Sequence, residues 1–179
     1  PPNSAPTQLG GVHRFGATFT DGETRELSVS DFLSGSDSET SNDQLGIAIK
    51  GPVTNSSFEV SLDGNSWSAV ALADQEMLHL DQNATIRFVP DGTPGDFGLN
   101  YLVWDKSNGL ATGAVTGGLS TTGGTSAYST GEAQLRIQVT EAPSNPIGQI
   151  IDQNPDANQV QENADPGTSV GITASATDA

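Results

Sequence analysis

Leu135, Ile137 and Val139 alternate with Gln134, Arg136 and Gln138, so every second side chain in this stretch is apolar. A period of two marks a strand buried on one face. Phe58, Val60 and Leu62 repeat the pattern and run into Asp63-Gly64, after which Ser66-Trp67-Ser68-Ala69-Val70 resumes; strand, DG turn and strand predict a β-hairpin. Further strands are predicted over Glu26–Ser30, Gln44–Lys50, Thr85–Val89 and Leu99–Asp105. A helical period is hinted at only by one turn in Ala73-Asp74-Gln75-Glu76-Met77-Leu78. About seven short strands with turn residues between them predict an all-β antiparallel sandwich. Trp67 and Trp104 are expected in its core.

Thr112–Thr130 is rich in Gly, Ser and Thr and predicts a long loop or protruding hairpin, the most mobile part of the first domain. After Val139 the pattern changes: Thr140-Glu141-Ala142-Pro143-Ser144-Asn145-Pro146 carries two prolines among small polar residues. This divides the chain into a sandwich over residues 1–142, a stiff linker over 143–146 and a second domain beginning at 147. Residues 147–179 hold two predicted strands, through Ile150–Val160 and Ser169–Ala176, too few to bury a core. The tail therefore reads as the incomplete opening of a second sandwich. The chain begins at Pro1-Pro2-Asn3-Ser4 and stops at Thr177-Asp178-Ala179 in mid-pattern, and we expect a piece of a longer polypeptide.

Charge sharpens the picture. Of 179 residues, 22 are acidic and 6 basic, a formal charge of -16, while apolar residues make up 34%. Such an excess disfavours nucleic-acid binding and a basic membrane-surface face. It suits a chain built to hold divalent cations, and equally a merely soluble acidic surface. There are no cysteines, which excludes thiolate metal sites and disulfides and leaves a full core or a metal to stabilise the fold. No apolar run reaches the roughly 20 residues that span a bilayer, so membrane insertion is not expected.

The tail carries a more specific signal. Val160-Gln161-Glu162-Asn163 ends the first predicted strand, Gly167-Thr168-Ser169-Val170 opens the next, and Ala176-Thr177-Asp178-Ala179 closes it. In order and spacing this resembles the start of a cadherin repeat. The first domain is similar to Ig-like and cadherin-like repeats of large bacterial RTX-type surface adhesins, on Gly46-Ile47-Ala48-Ile49, Phe58 through Trp67, Ile86 through Pro90, Tyr101-Leu102-Val103-Trp104-Asp105 and Thr121 through Thr130. The resemblance covers most of Leu27–Glu141. It implies a non-catalytic, extracellular module of a tandem array on a bacterial surface, with calcium ions stiffening the junctions and neighbouring repeats as partners. Junctions in such proteins commonly read Val-Thr-Ala-Val-Asn-Asp-Ala-Pro; here Val139-Thr140-Glu141-Ala142-Pro143-Ser144-Asn145-Pro146 displaces one acidic residue and loses the Asn-Asp pair.

Calcium takes 6–8 oxygen ligands at about 2.3–2.6 Å, so a site needs several carboxylates and carbonyls together. Asp152, Asn154, Asp156 and Asn158 recur at every second position, with Glu162 beyond them. In a loop this spacing aims oxygens inward; in a straight strand it makes one polar face. The segment is not an EF-hand, because Ala157 stands where that loop needs Gly and Glu162 comes one position early. The cadherin resemblance implies that Asp178 points back to the junction near Glu141 and Asn145, whereas Glu162 serves the next junction. It also implies that Asp37-Ser38-Glu39, joined by Asp43 and Asp105, faces a preceding domain; an acidic surface turn is the competing reading. Asp91 and Asp96 are expected to be turn residues bonding their own backbone.

Two functions follow. In the first the chain is a calcium-stiffened spacer or adhesion module. In the second it is a carbohydrate- or partner-binding module of an adhesin or secreted hydrolase, with Trp67, Trp104, Tyr101 and Tyr128 forming an exposed stacking face beside 112–130. His13 and His79 lack the neighbours of a transition-metal or nucleophilic site, and His79 reads as an ordinary strand residue. No arrangement of catalytic residues is apparent.

Overall fold

The computed structural model describes residues 2–54, 57–118, 121–143, 151–152, 163, 165–166 and 174–175. It divides into two units, Pro1–Ala142 and Pro143–Ala179. Along the first unit run β1 (Thr7–Gln8), β2 (Val12–Phe19), β3 (Arg25–Ser28), the single turn α1 (Val29–Phe32), β4 (Gly35–Ser36), a 3-10 turn at Asn42–Gln44, β5 (Gly46–Lys50) and β6 (Phe58–Ser61). There follow β7 (Ser68–Ala69), β8 (Met77–Asp81), β9 (Thr85–Phe88), β10 (Gly95–Trp104), β11 (Val115–Thr116) and β12 (Tyr128–Thr140). In the second unit β13 (Ile151–Asp152) and β14 (Ala174–Ser175) pair antiparallel.

Two sheets make the sandwich: six strands in the order β11-β8-β5-β10-β12-β2 and four in the order β3-β9-β6-β7. Pairing is antiparallel except between β2 and β12, which run side by side in the same direction. A bulge interrupts that pair where Ile137 faces Gly16, and Gly16 takes φ +102°, a conformation that suits glycine. The predicted hairpin forms, with Glu59 opposite Ala69 and Val60 opposite Ser68. Asp63 organises its loop: Oδ1 accepts the N–H groups of Asn65 (2.8 Å) and Ser66 (2.7 Å), and Gly64 takes φ +76°. Those bonds hold the Asp63 carboxyl well below the usual carboxylate range.

The main core lies between the sheets. Ile47, Ile49, Leu78, Leu80, Leu99, Tyr101, Leu135 and Ile137 from one sheet meet Phe58, Val60, Ile86 and Phe88 from the other. Phe58 and Phe88 pack edge to face at 5.1 Å, as do Phe32 and Tyr101 at 5.4 Å. Burial pushes the Tyr101 hydroxyl up to about 12.

A second apolar cluster covers the opposite face of the six-stranded sheet: Ala48, Met77, Leu102, Trp104, Ala127 and Tyr128, with Leu110 packed against them. The centre of this sheet is therefore buried on both sides. That is why Met77-Leu78-His79-Leu80 shows no alternation although it forms β8, whose first two residues fall within the stretch Ala73–Leu78 that hinted at a helical turn. The expectation for 112–130 is corrected in the same way. Its described part is largely loop but is fastened to the sheet at both ends: β11 pairs with β8, Gly113 N–H donates to His79 O (2.7 Å), Asp81 N–H to Thr112 Oγ1 (3.1 Å), and Ala127 and Tyr128 are buried. Polar side chains there bond backbone, so a stretch poor in apolar residues still caps a core.

Two smaller expectations also change. The strand predicted through Ser30 ends at Ser28, where Asp31 accepts the Ser28 N–H (3.2 Å) and starts α1, placing Val29 and Phe32 in the core. Asp96 is not a turn residue; it lies in β10 opposite Gln138, 3.6 Å from Arg136.

Gly46 shows how tightly the second cluster is packed. A Cβ there would meet Leu80 O at 2.5 Å and Trp104 Cε3 at 2.9 Å. Gly46→Ala is expected to cost about 2–3 kcal/mol, since neither a strand carbonyl nor a buried indole can give way. Urea unfolding measures it, and a midpoint equal to that of the parent chain would contradict this account.

Candidate functional site

The chain enters and leaves the first unit at opposite poles. Asn3 Nδ2 donates to Ser126 O (3.2 Å) and Ala5 N–H to Gly124 O (2.8 Å), just ahead of β12. At the other end of β12, Thr20 N–H donates to Thr140 O (2.9 Å) and Ala142 N–H to Thr20 Oγ1 (3.3 Å). Between them β12 extends over 13 residues, roughly 40 Å at strand rise.

Two of the predicted acidic ligands are held at the entry pole by adjacent residues of the incoming chain, and a third, Asp37, lies in the same turn as one of them. Asn3 Nδ2 donates to Asp105 Oδ2 (3.0 Å), while Ser4 donates through N–H to Glu39 Oε2 (3.3 Å) and through Oγ to Glu39 Oε1 (3.1 Å). Asp105 is buried, and its Oδ1 accepts the Ser107 N–H (2.8 Å). Asp37 Oδ1 caps the turn, accepting the N–H groups of Glu39 (2.8 Å) and Thr40 (2.6 Å). Its Oδ2 is buried without a hydrogen-bond partner, an open oxygen of the kind a cation takes. Nothing in the sequence announces Asn3 and Ser4 as the residues that join turns 35 and 102 positions away. Asp43 lies in the 3-10 turn, with its carboxyl lowered by hydrogen bonds from Ser41 and Gln44.

These carboxylates do not form a finished site. Among the described residues, no group of three or more His, Asp or Glu side chains is placed to hold a metal ion. Glu141 is exposed at the exit pole, just past β12. Asp152 contributes its backbone to β13. Asn145, Asp156, Asn158, Glu162 and Asp178 lie outside the described residues.

The aromatic stacking face does not exist, and that expectation is withdrawn. Tyr101, Trp104 and Tyr128 are buried. Trp67, expected in the core, instead lies half-buried under the Arg87 guanidinium, 4.1 Å from its ring centroid. Arg87 pairs with Glu59 (Nε to Oε2, 2.6 Å) across the outer face of the four-stranded sheet.

His79 is more than an ordinary strand residue. It is 0% exposed, and its ring bonds at both nitrogens. Nδ1 faces the carbonyl of Ala114 (3.0 Å), so it carries the hydrogen, and Nε2 accepts the Tyr128 hydroxyl (2.8 Å). Tyr128 Oη in turn accepts from Asn108 Nδ2 (2.8 Å), and Asn108 Oδ1 accepts the Trp104 indole N–H (2.9 Å). Burial pushes the His79 imidazole down and the Tyr128 hydroxyl up. The chain of bonds ties β8, β10 and β12 to residues 108–114.

No family model matches the chain, and no curated protein matches it. Among solved structures it is similar to the ASH / PapD-like domain of human CEP192 (PapD-like domain 7), at 17% identity and a TM-score of 0.35, over 80% of this chain and 90% of that chain. So low a score says nothing about what this chain does. Its class, an immunoglobulin-like β-sandwich, rests on its own two sheets and their strand order.

Proposed function

We propose that the first unit is a non-catalytic, extracellular spacer or adhesion module, one link of a tandem array on a bacterial surface, as in RTX-type adhesins. The observation that supports it best is the path through the first unit: the chain enters at one pole and leaves at the other. In this reading Asp37, Glu39 and Asp105 supply part of a calcium site at the entry pole, and backbone carbonyls, water or a neighbouring repeat supply the rest. Glu141 belongs to the junction at the exit pole. A carbohydrate-binding module loses its support with the burial of three of the four aromatic residues.

Bound calcium stabilises a folded state by RT ln(1 + [Ca]/Kd), about 1.4 kcal/mol at ten times Kd. Melting the chain in 10 mM calcium and again in EDTA tests this. We expect calcium to raise Tm by several degrees and Asp37→Ala to remove most of the gain; identical melting curves would remove the calcium part of the proposal.

A further inference from the structure

Asn108 is followed by Gly109, and no other asparagine in the chain precedes a glycine. Both residues are exposed in the turn after β10, while the Asn108 side chain reaches inward to Trp104 and Tyr128. A Cβ built at Gly109 would meet nothing within 4 Å, and without one its backbone nitrogen is open to approach by the preceding side chain. Two N–H groups are aimed at the Asn108 amide oxygen, Trp104 Nε1 at 2.9 Å and Leu110 N at 3.4 Å. Negative charge gathers on that oxygen when a nucleophile adds to the amide carbon, and donors already in place stabilise it. The Gly109 N–H must first leave Lys106 O (3.0 Å), a single bond of a surface turn.

We propose that Asn108 is a deamidation site, and that the carboxylate made there reverses the hydrogen-bond chain, so that Tyr128 donates to it instead of to His79. The Gly109 nitrogen loses its proton and bonds to Asn108 Cγ. The bond from Cγ to Nδ2 breaks, and Nδ2 takes up a proton and departs as ammonia. Water then opens the five-membered imide: its hydroxyl goes to Cγ and its hydrogen returns to the Gly109 nitrogen. Water is consumed, ammonia is released, and nothing is oxidised or reduced.

The amide nitrogen of Asn108 donates to Tyr128 Oη at 2.8 Å and so commits the hydroxyl hydrogen to His79 Nε2. A carboxylate has no hydrogen to give. Tyr128 then turns its hydrogen to the new charge, and its oxygen faces His79 Nε2 with a lone pair. Nδ1 keeps its own hydrogen on Ala114 O (3.0 Å). The ring therefore takes up a proton more readily, because imidazolium, hydroxyl and carboxylate form a matched series of donors and acceptors. The other groups around the ring are unaltered. Asp105 acts on Tyr128, Lys106 stands over the Trp104 ring, and Asp81 on β8 accepts the Asn83 N–H (3.0 Å). β5 sets uncharged Ala48 opposite His79.

The intact folded chain is incubated at pH 8 in oxygen-18 water with EDTA, which separates the result from any calcium effect, and its peptides are then weighed. We expect Asn108 to convert ahead of every other asparagine, including Asn65 in its exposed loop. His79 is next titrated by NMR in the parent chain, in Asn108→Asp and in Asn108→Ala. Asn108→Asp should hold the imidazole proton at least tenfold more tightly than the parent. Asn108→Ala leaves Tyr128 donating to His79 and should stay within twofold of the parent. If Asn108→Asp does not fold, the deamidated chain from the incubation takes its place in the titration. Conversion at Asn108 no faster than at Asn65 overturns the proposal, and so does a His79 that titrates alike in the parent and in Asn108→Asp. An equal rise in Asn108→Ala assigns the effect to loosened packing and likewise overturns it.

Discussion

Trp104→Ala is expected to destabilise the first unit by about 3–5 kcal/mol, lowering Tm by roughly 8–16 °C. Trp104 is 0% exposed, and its ring is the centre of the cluster on the outer side of the six-stranded sheet. The His79 ring meets it edge-on at 4.9 Å, and Gly46 lies against it because no side chain fits there. Removing the indole empties that space and takes the hydrogen-bond donor from Asn108. Trp104→Phe keeps one six-membered ring but loses the N–H and part of the indole's volume, so it should cost less, about 2–3 kcal/mol. Thermal unfolding of the three chains decides the matter. A fall of under about 3 °C for Trp104→Ala would mean that residues 105–127 are not packed on the sheet as described.

Acid is expected to weaken the same region. His79 is neutral in the folded chain, and burial lowers its pKa below the ordinary value of 6.5. Its contribution is therefore fully present above about pH 6.5 and is lost as pH falls below that value, because the unfolded chain then takes up the proton more readily. The slope can approach 1.4 kcal/mol per pH unit until the folded imidazole titrates. Protonation would also place a hydrogen on Nε2 facing Tyr128, whose oxygen already accepts from Asn108, and the hydroxyl hydrogen would need a new acceptor. The Asp105 charge raises the Tyr128 hydroxyl further, and Lys106 stands 5.9 Å above the Trp104 ring. The lowered carboxyls of Asp43, Asp63 and Asp91 lose their contribution only below about pH 4. Urea midpoints between pH 7.5 and 5 therefore isolate the histidine. His79→Gln should flatten the profile, and parallel profiles for the two chains would exclude His79 as the cause.

How much of this was legible depends on which face of a strand meets water. Leu135, Ile137 and Val139 alternate visibly because one side of β12 is exposed there, and Phe58 and Val60 do so for the same reason. β8 gave no such signal, since Met77 and His79 enter one core while Leu78 and Leu80 enter the other. β2 was missed because its edge position leaves most of it at least partly exposed and Gly16 breaks its register. A local pattern places Trp104 inside but cannot say in which of two cores. Trp67 differs from it only through Arg87, a partner 20 positions on that becomes a neighbour only when β9 pairs with β6. The acidic pole was legible as residue types, not as geometry. Asp37, Glu39 and Asp105 were visible, whereas the tie of Asp105 to Asn3 and of Glu39 to Ser4 is purely tertiary.

The parallel pairing of the first long strand with the last has a mechanical side. If tension is applied at Asn3 and Ala142, β2 and β12 are drawn along their own lengths past one another. The rungs from Gln134–Val12 to Thr140–Phe19 then share the force at once, as in a lap joint, instead of parting singly as in a zipper. A link built this way resists extension by shear across a whole ladder.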